Sequence, residues 1–206
     1  MPLQNRVTPF GDIIAIPDRG LFTGNRGIIH DPVTRTIRRR WAGKSWLVCL
    51  CEFKGRKRTV MSPGSWTELF FLDEATALAA GHRPCFECRR PAARAFQAAW
   101  ARGNGGALPM AKGMDGVLHA ERLSGRAKRV HPLDRALSEM PDGAMVAKGE
   151  GSFLVAAGGL RRWTPSGYAP AGEAVGGVVL LTPPSTLRAL QAGYRPSLHP
   201  SAFASL

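Results

Sequence analysis

Asp73-Glu74-Ala75-Thr76-Ala77-Leu78-Ala79-Ala80-Gly81-His82-Arg83-Pro84-Cys85-Phe86-Glu87-Cys88 is the stretch from which the rest of the chain is best read. Asp73 suits a helix N-cap, because its short side chain can accept from the free amides of the first turn, and Glu74 puts negative charge where those amides are exposed. Ala75 to Ala80 has high helix propensity, Gly81 supplies the left-handed residue that closes a helix, and Pro84 prevents its continuation. The C-x-x-C spacing that follows lets two thiolates meet one tetrahedral ion at about 2.3 Å each. The stretch therefore predicts a short helix running into a metal-binding knuckle, with Cys85 and Cys88 as ligands.

Upstream, Trp46 to Phe53 reads as a strand, Lys54-Gly55 as a turn and Arg56 to Met61 as a partner strand, which together predict a β-hairpin. It carries the other two cysteines as Cys49-x-Cys51. On a regular strand these share an apolar face with Leu47 and Phe53, their Cα atoms roughly 6.5 Å apart. The N-terminus, Met1-Pro2-Leu3-Gln4-Asn5-Arg6, lacks a basic region followed by an apolar core, so a cytoplasmic location is expected and disulfides are not. Four thiolates suit zinc best. Two arrangements stay open: Cys49 and Cys51 both bind the metal, or one is a buried core thiol and His82 completes the set.

Residues 74–88, an Ala-rich helix ending in Ala-Gly-His-Arg-Pro-Cys-x-x-Cys, resemble the Ada-type zinc-binding domain of bacterial DNA-repair proteins. The resemblance is specific over these residues and weaker back to about Trp46. It implies a four-cysteine zinc site and DNA contact, with Cys85 and Cys88 carried over position by position. The upstream pair departs from the family, whose first two cysteines are separated by three residues. In that family a zinc-bound cysteine also accepts methyl groups, which would make Cys49 the acceptor in an alkylation sensor.

Downstream, Pro91 fits the first position of a second helix in which Phe96 and Trp100 share a face, and Gly103 is expected to end it. The Gly103-Asn104-Gly105-Gly106 tract suggests a boundary between a basic portion, 1–103, and a mixed portion, 104–206, with one continuous domain as the alternative. Residues 114–123 suggest another helix, Met145 to Val179 short strands, and Ser185 to Ala192 a last helix. The ending Ala189-Leu190-Gln191-Ala192-Gly193-Tyr194-Arg195-Pro196 echoes Ala77-Leu78-Ala79-Ala80-Gly81-His82-Arg83-Pro84, as if one helix-stop device were used twice. The fold class expected is α+β, a zinc-pinned hairpin with short helices followed by a glycine-rich β portion.

The formal charge of +13 is unevenly spread: of 28 Lys and Arg, only Arg161, Arg162, Arg188 and Arg195 lie beyond residue 150. The densest stretch, residues 26–58, includes Arg26, Arg38-Arg39-Arg40 and Arg56-Lys57-Arg58. Arg83, Arg89, Arg90 and Arg94 surround the knuckle. Such clusters suit a phosphate backbone, so nucleic acid, DNA first, is the expected partner. The basic residues sit in turn-rich or strand-like sequence, which disfavours a membrane surface.

Cleavage of phosphodiesters needs groups that hold a second metal, Mg or Mn, or activate water. Asp115 and His119 stand four apart on an expected helix, with Glu121 and Arg122 nearby. Gly24-Asn25-Arg26-Gly27 forms a turn before His30 and Asp31, where amides and Arg26 can cradle phosphate while His30 or Asp31 acts as base or ligand. The expected function is zinc-containing DNA binding with metal-dependent endonuclease action. A non-enzymatic DNA-binding regulator or adaptor and a zinc-thiolate alkylation sensor are its rivals.

Overall fold

Helix α1 (Glu74–Ala79) forms where its sequence demands it: Asp73 Oδ1 accepts from Thr76 N and Thr76 Oγ1, both at 2.8 Å. In the computed structural model of the protein, which describes residues 1–56, 59–171 and 177–204, all six residues of this helix are buried. A helix apolar on every side must be enclosed by other elements. Here Ala77 and Ala80 belong to one apolar cluster, Ala75 and Ala79 to a second and Leu78 to a third.

The first cluster lines a six-stranded sheet built from β1 (Gln4–Val7), β2 (Ile13–Ala15), β3 (Phe22–Asn25), β4 (Leu47–Leu50), β5 (Leu69–Phe71) and β6 (Arg83–Pro84). Its order is β2-β1-β5-β3-β4-β6. Three further helices follow, α2 (Arg90–Asn104), α3 (Ala111–Arg122) and α4 (Pro184–Gln191). A small ribbon pairs β7 (Leu123–Ser124) with β8 (Ala127–Lys128). The second sheet consists of β9 (Met145–Lys148), β10 (Gly151–Ala156), β11 (Gly159–Thr164), β12 (Gly167–Pro170) and β13 (Val179–Leu180), antiparallel in the order β12-β11-β10-β9-β13. The fold is α+β.

Among the described residues, the hairpin expected over residues 46–61 does not form. Strand β4 ends at Leu50 and pairs antiparallel with β3, Cys49 opposite Thr23, and parallel with β6, Leu47 opposite Arg83. The described residues between 51 and 61 are turns and irregular backbone, and Met61 takes φ +54°, which an extended partner strand excludes. Gly103 does not stop α2, which runs on to Asn104; a Cβ at 103 would lie 2.2 Å from the Arg188 carbonyl of α4, so close helix approach explains the glycine. The apolar cluster around these helices unites Leu78, Phe96 and Trp100 with Met114, Val146, Phe153 and Leu187, residues on both sides of position 104.

The twice-used helix stop is real. Gly81 (φ +88°) and Gly193 (φ +101°) are left-handed. In each, the glycine amide and the next amide reach back to the last turn: Gly81 to Leu78 and His82 to Ala77, Gly193 to Leu190 and Tyr194 to Ala189, all at 2.9–3.0 Å. The arginines that follow differ: Arg83 is buried against Asp115, whereas Arg195 donates to the carbonyls of Leu190 and Tyr194.

Beside Asp73, the Glu74 carboxylate is also buried. It receives both Arg89 Nη atoms at 2.8 Å, the Tyr194 hydroxyl at 2.5 Å and Ser197 N at 2.9 Å. Removing one member of such a pair leaves the other charge desolvated and alone. E74A should therefore lower the unfolding free energy by about 3–5 kcal/mol. The double variant E74A/R89M should recover part of that loss in urea titrations, the signature of an orphaned charge.

Candidate metal centre

Strand β6 delivers the chain to the knuckle, and its parallel pairing with β4 sets the third thiol beside it: Arg83 N donates to Trp46 O and Cys85 N to Val48 O, both at 3.0 Å. The Sγ atoms of Cys49, Cys85 and Cys88 consequently lie within 4.8 Å of one another. The turn is closed by Arg89 N on Cys85 O at 3.0 Å, and Glu87 N points at Cys85 Sγ at 3.4 Å. Contact with the Cys49 and Cys88 thiols lowers the Cys85 thiol below its ordinary range, while the same contacts and burial push Cys49 up. The arrangement favours one thiolate that its two neighbours solvate, and a cation can replace the shared protons. This cluster can bind a metal ion.

Cys51 stands outside it. The strand alternation that would have put Cys51 beside Cys49 ends at Leu50; the chain bends, and the exposed Cys51 Sγ turns toward Leu21 O at 3.6 Å. His82 does not complete the set either. It is buried with Nδ1 facing Ala77 O and Nε2 facing Arg26 Nε at 3.3 Å, its ring packed on Trp46 and Phe71. Burial and the nearby Arg26 and Arg122 hold its imidazole well below the ordinary range, so it is neutral. A cleft of about 290 Å³ opens on the three thiols, lined also by Leu47, Leu50, Phe53, Trp66, Asn25, Arg56 and Glu87.

The residues expected to act on phosphodiesters are brought together only in part, and their polar atoms are engaged in the fold. Asp115 accepts from Arg83 Nε at 2.7 Å and Nη2 at 2.9 Å, and from Ser45 Oγ at 2.6 Å. His119, on the same helix, turns instead to Arg122 Nη2 at 3.0 Å and stacks edge-on with Trp41. Glu121 receives Ser185 N and Oγ at the start of α4. His30 Nδ1 contacts Thr67 Oγ1 at 2.7 Å, and Asp31 accepts from Val33 N and Thr34 N and pairs with Arg38.

The arginines expected on nucleic acid divide into two groups. Arg26, Arg83 and Arg89 are buried, Arg83 with Asp115 and Arg89 with Glu74, and so are not available to a phosphate backbone. Arg38, Arg39, Arg56, Arg90 and Arg94 are exposed and Arg40 half-buried, Arg40 pairing with Asp12 and Arg56 with Glu87. Lys57 and Arg58 lie outside the described residues.

Sequence reasoning missed the role of Trp46. Its ring is clamped between the Arg26 and Arg122 guanidinium groups, 4.0 and 3.8 Å from a ring centroid. Arg26 donates to Gly11 O, Arg122 to Gly81 O and Lys44 O, and the half-buried Lys128 amine to Ala79 O and Leu181 O. Such stacking on an indole face is a normal use of arginine, but nothing in the spacing of residues 26, 46 and 122 announces it.

Compared with family models, with curated proteins and with solved structures, the chain has no match in any of the three. The candidate site is therefore read on its own chemistry. No helix among the described residues is long and apolar enough to cross a membrane.

Burial, with Arg26 and Arg122 nearby, pushes the Lys128 amine from its usual 10.5 down to about 7. Between those two values the unfolded chain binds a proton that the folded chain does not, so this group's contribution to stability rises with pH across that window. The native chain should accordingly gain stability relative to K128M from pH 7 toward pH 10 in chemical denaturation. A difference independent of pH would mean that Lys128 keeps its proton throughout.

Proposed function

We propose that the chain is a zinc-binding protein that associates with nucleic acid, DNA above all, without cutting it. The observation that carries this reading is the convergence of Cys49, Cys85 and Cys88. Three soft, anionic donors in a tetrahedral reach suit zinc better than the hard divalent cations, which prefer oxygen. The likeness of residues 74–88 to the Ada-type zinc-binding domain points the same way.

Nucleic acid is supported by the chain's +13 charge and by the exposed Arg38, Arg39, Arg90 and Arg94, the last two opening the helix that leaves the knuckle. The binding module is favoured over the endonuclease because Asp115, Glu121 and Asp31 are each held by donors of the protein itself. A carboxylate locked in a buried bidentate pair is poorly placed to exchange that partner for Mg or Mn. On this reading zinc pins the start of α2 and so presents Arg90 and Arg94 to phosphate.

Protein purified without chelators should contain about one zinc per chain. C49S, C85S and C88S should lose it, while C51S retains it. Duplex DNA binding followed by fluorescence anisotropy should weaken with salt, and R39E/R94E should flatten the log K against log salt slope by about 2. Three freely reactive thiols and no zinc would refute the metal half, and an unchanged slope the nucleic-acid half. Plasmid should stay supercoiled with magnesium or manganese; nicking would restore the nuclease.

A further inference from the structure

The metal centre has three protein donors on one side and a cleft on the other. Among the described residues, the Cys, His, Asp and Glu side chains that gather there as a ligand set are Cys49, Cys85 and Cys88. The nearest alternatives are engaged: Cys51 Sγ turns to Leu21 O, and the Glu87 carboxylate, at the cleft wall, pairs with Arg56 Nη1 at 3.0 Å. A tetrahedral ion held by three thiolates has one vertex left, and three-ligand zinc sites are those that take an exogenous fourth ligand.

The surroundings of that vertex restrict what can fill it. The cleft is small, about 290 Å³, and its walls beyond the cysteines are largely Leu47, Leu50, Phe53 and Trp66, with Arg56 at the rim. Such a space takes a compact apolar body rather than a sugar or a peptide. Three thiolate donors also leave the ion electron-rich, so a soft sulfur suits it better than an oxygen ligand.

We propose that this centre is a binding site for a small apolar thiol, whose sulfur takes the fourth coordination position while its hydrocarbon body fills the cleft. The inference rests on the zinc-binding reading above and specifies what that site recognises. On binding, the thiol gives its proton to bulk solvent and its sulfur bonds to the ion as thiolate. Arg56, paired with Glu87, lines the same cleft.

The test uses the full chain loaded with cobalt(II), whose sulfur-to-metal charge-transfer absorption grows with each thiolate bound, and benzyl mercaptan as the probe. Saturable binding should raise that absorption by about a third, from three thiolates to four, with cobalt retained after desalting. Benzyl alcohol, the same body with oxygen for sulfur, should leave it unchanged. F53A and L50D, at a half-buried and an exposed wall position, should each weaken the response about tenfold without altering cobalt content.

C51S and E87Q should match the native resting spectrum; loss of intensity in either would show that the fourth vertex is filled from within and would overturn the proposal. So would release of cobalt to the thiol, or no response to it. If instead no cobalt binds and all three cysteines react freely, the zinc reading falls, and this inference with it. Cobalt bound with no answer to thiol removes the inference alone.

Discussion

Two adjacent carboxylates, Asp73 and Glu74, are buried at the start of α1, and the rest of the structure is arranged to satisfy them. An ionised carboxylate inside a protein must be met by donors or it will protonate or unfold its surroundings. Burial pushes Asp73 upward, against the pull of donors from Thr76, Tyr168 and His199. Glu74 draws Arg89, Tyr194 and Ser197. These partners come from α1 itself, the second sheet, the start of α2 and the segment after α4. One short helix thus fixes the relative placement of four distant parts of the chain.

The thiol cluster inherits its geometry from this constraint. Arg89 is the residue after Cys88, so its bidentate bond to Glu74 anchors the knuckle at its far end. Arg83, two residues before Cys85, is anchored at the near end by Asp115 of α3. The knuckle is bracketed by two buried ion pairs, and the parallel β4–β6 contact adds Cys49 from a third direction. Neither pair need add net stability, since desolvation offsets much of the attraction. Their effect is positional: they fix the backbone at both ends of the thiol cluster.

What the sequence disclosed follows a physical division. Local chemistry was legible: the Asp73 cap, the Gly81 stop, its repetition at Gly193 and the C-x-x-C turn depend on neighbours within a few residues. Pairing between strands was not, because the partners of β4 lie at residues 22–25 and 83–84, and no spacing rule reaches them. The misplaced hairpin led directly to the misplaced Cys51, since its alternation with Cys49 holds only while the strand continues. One signal was available and passed over. A helix of Ala, Leu and Thr without a polar face cannot lie on a surface, so Asp73 and Glu74 at its head had to be buried functional partners rather than solvated charges.

The same division changes what the +13 charge means. Net charge counts every cation alike, but Arg26 and Arg122 are buried and Lys128 is half-buried, near Trp46 and neutral His82. Burial first, and then their mutual repulsion, lowers the affinity of Arg26 and Lys128 for protons, and this is offset by main-chain carbonyls at Gly11, Lys44, Ala79, Gly81 and Leu181 and by the indole ring. Arg26 and Arg122 cannot meet a phosphate without unfolding. Arg83 and Arg89 are already neutralised at close range. The field that a nucleic acid would sense comes from the exterior arginines, and two of these, Arg90 and Arg94, stand on the helix whose first turn follows the thiol cluster. On the proposed reading, association with a polyanion would be coupled to metal occupancy through the position of α2 rather than through bulk charge.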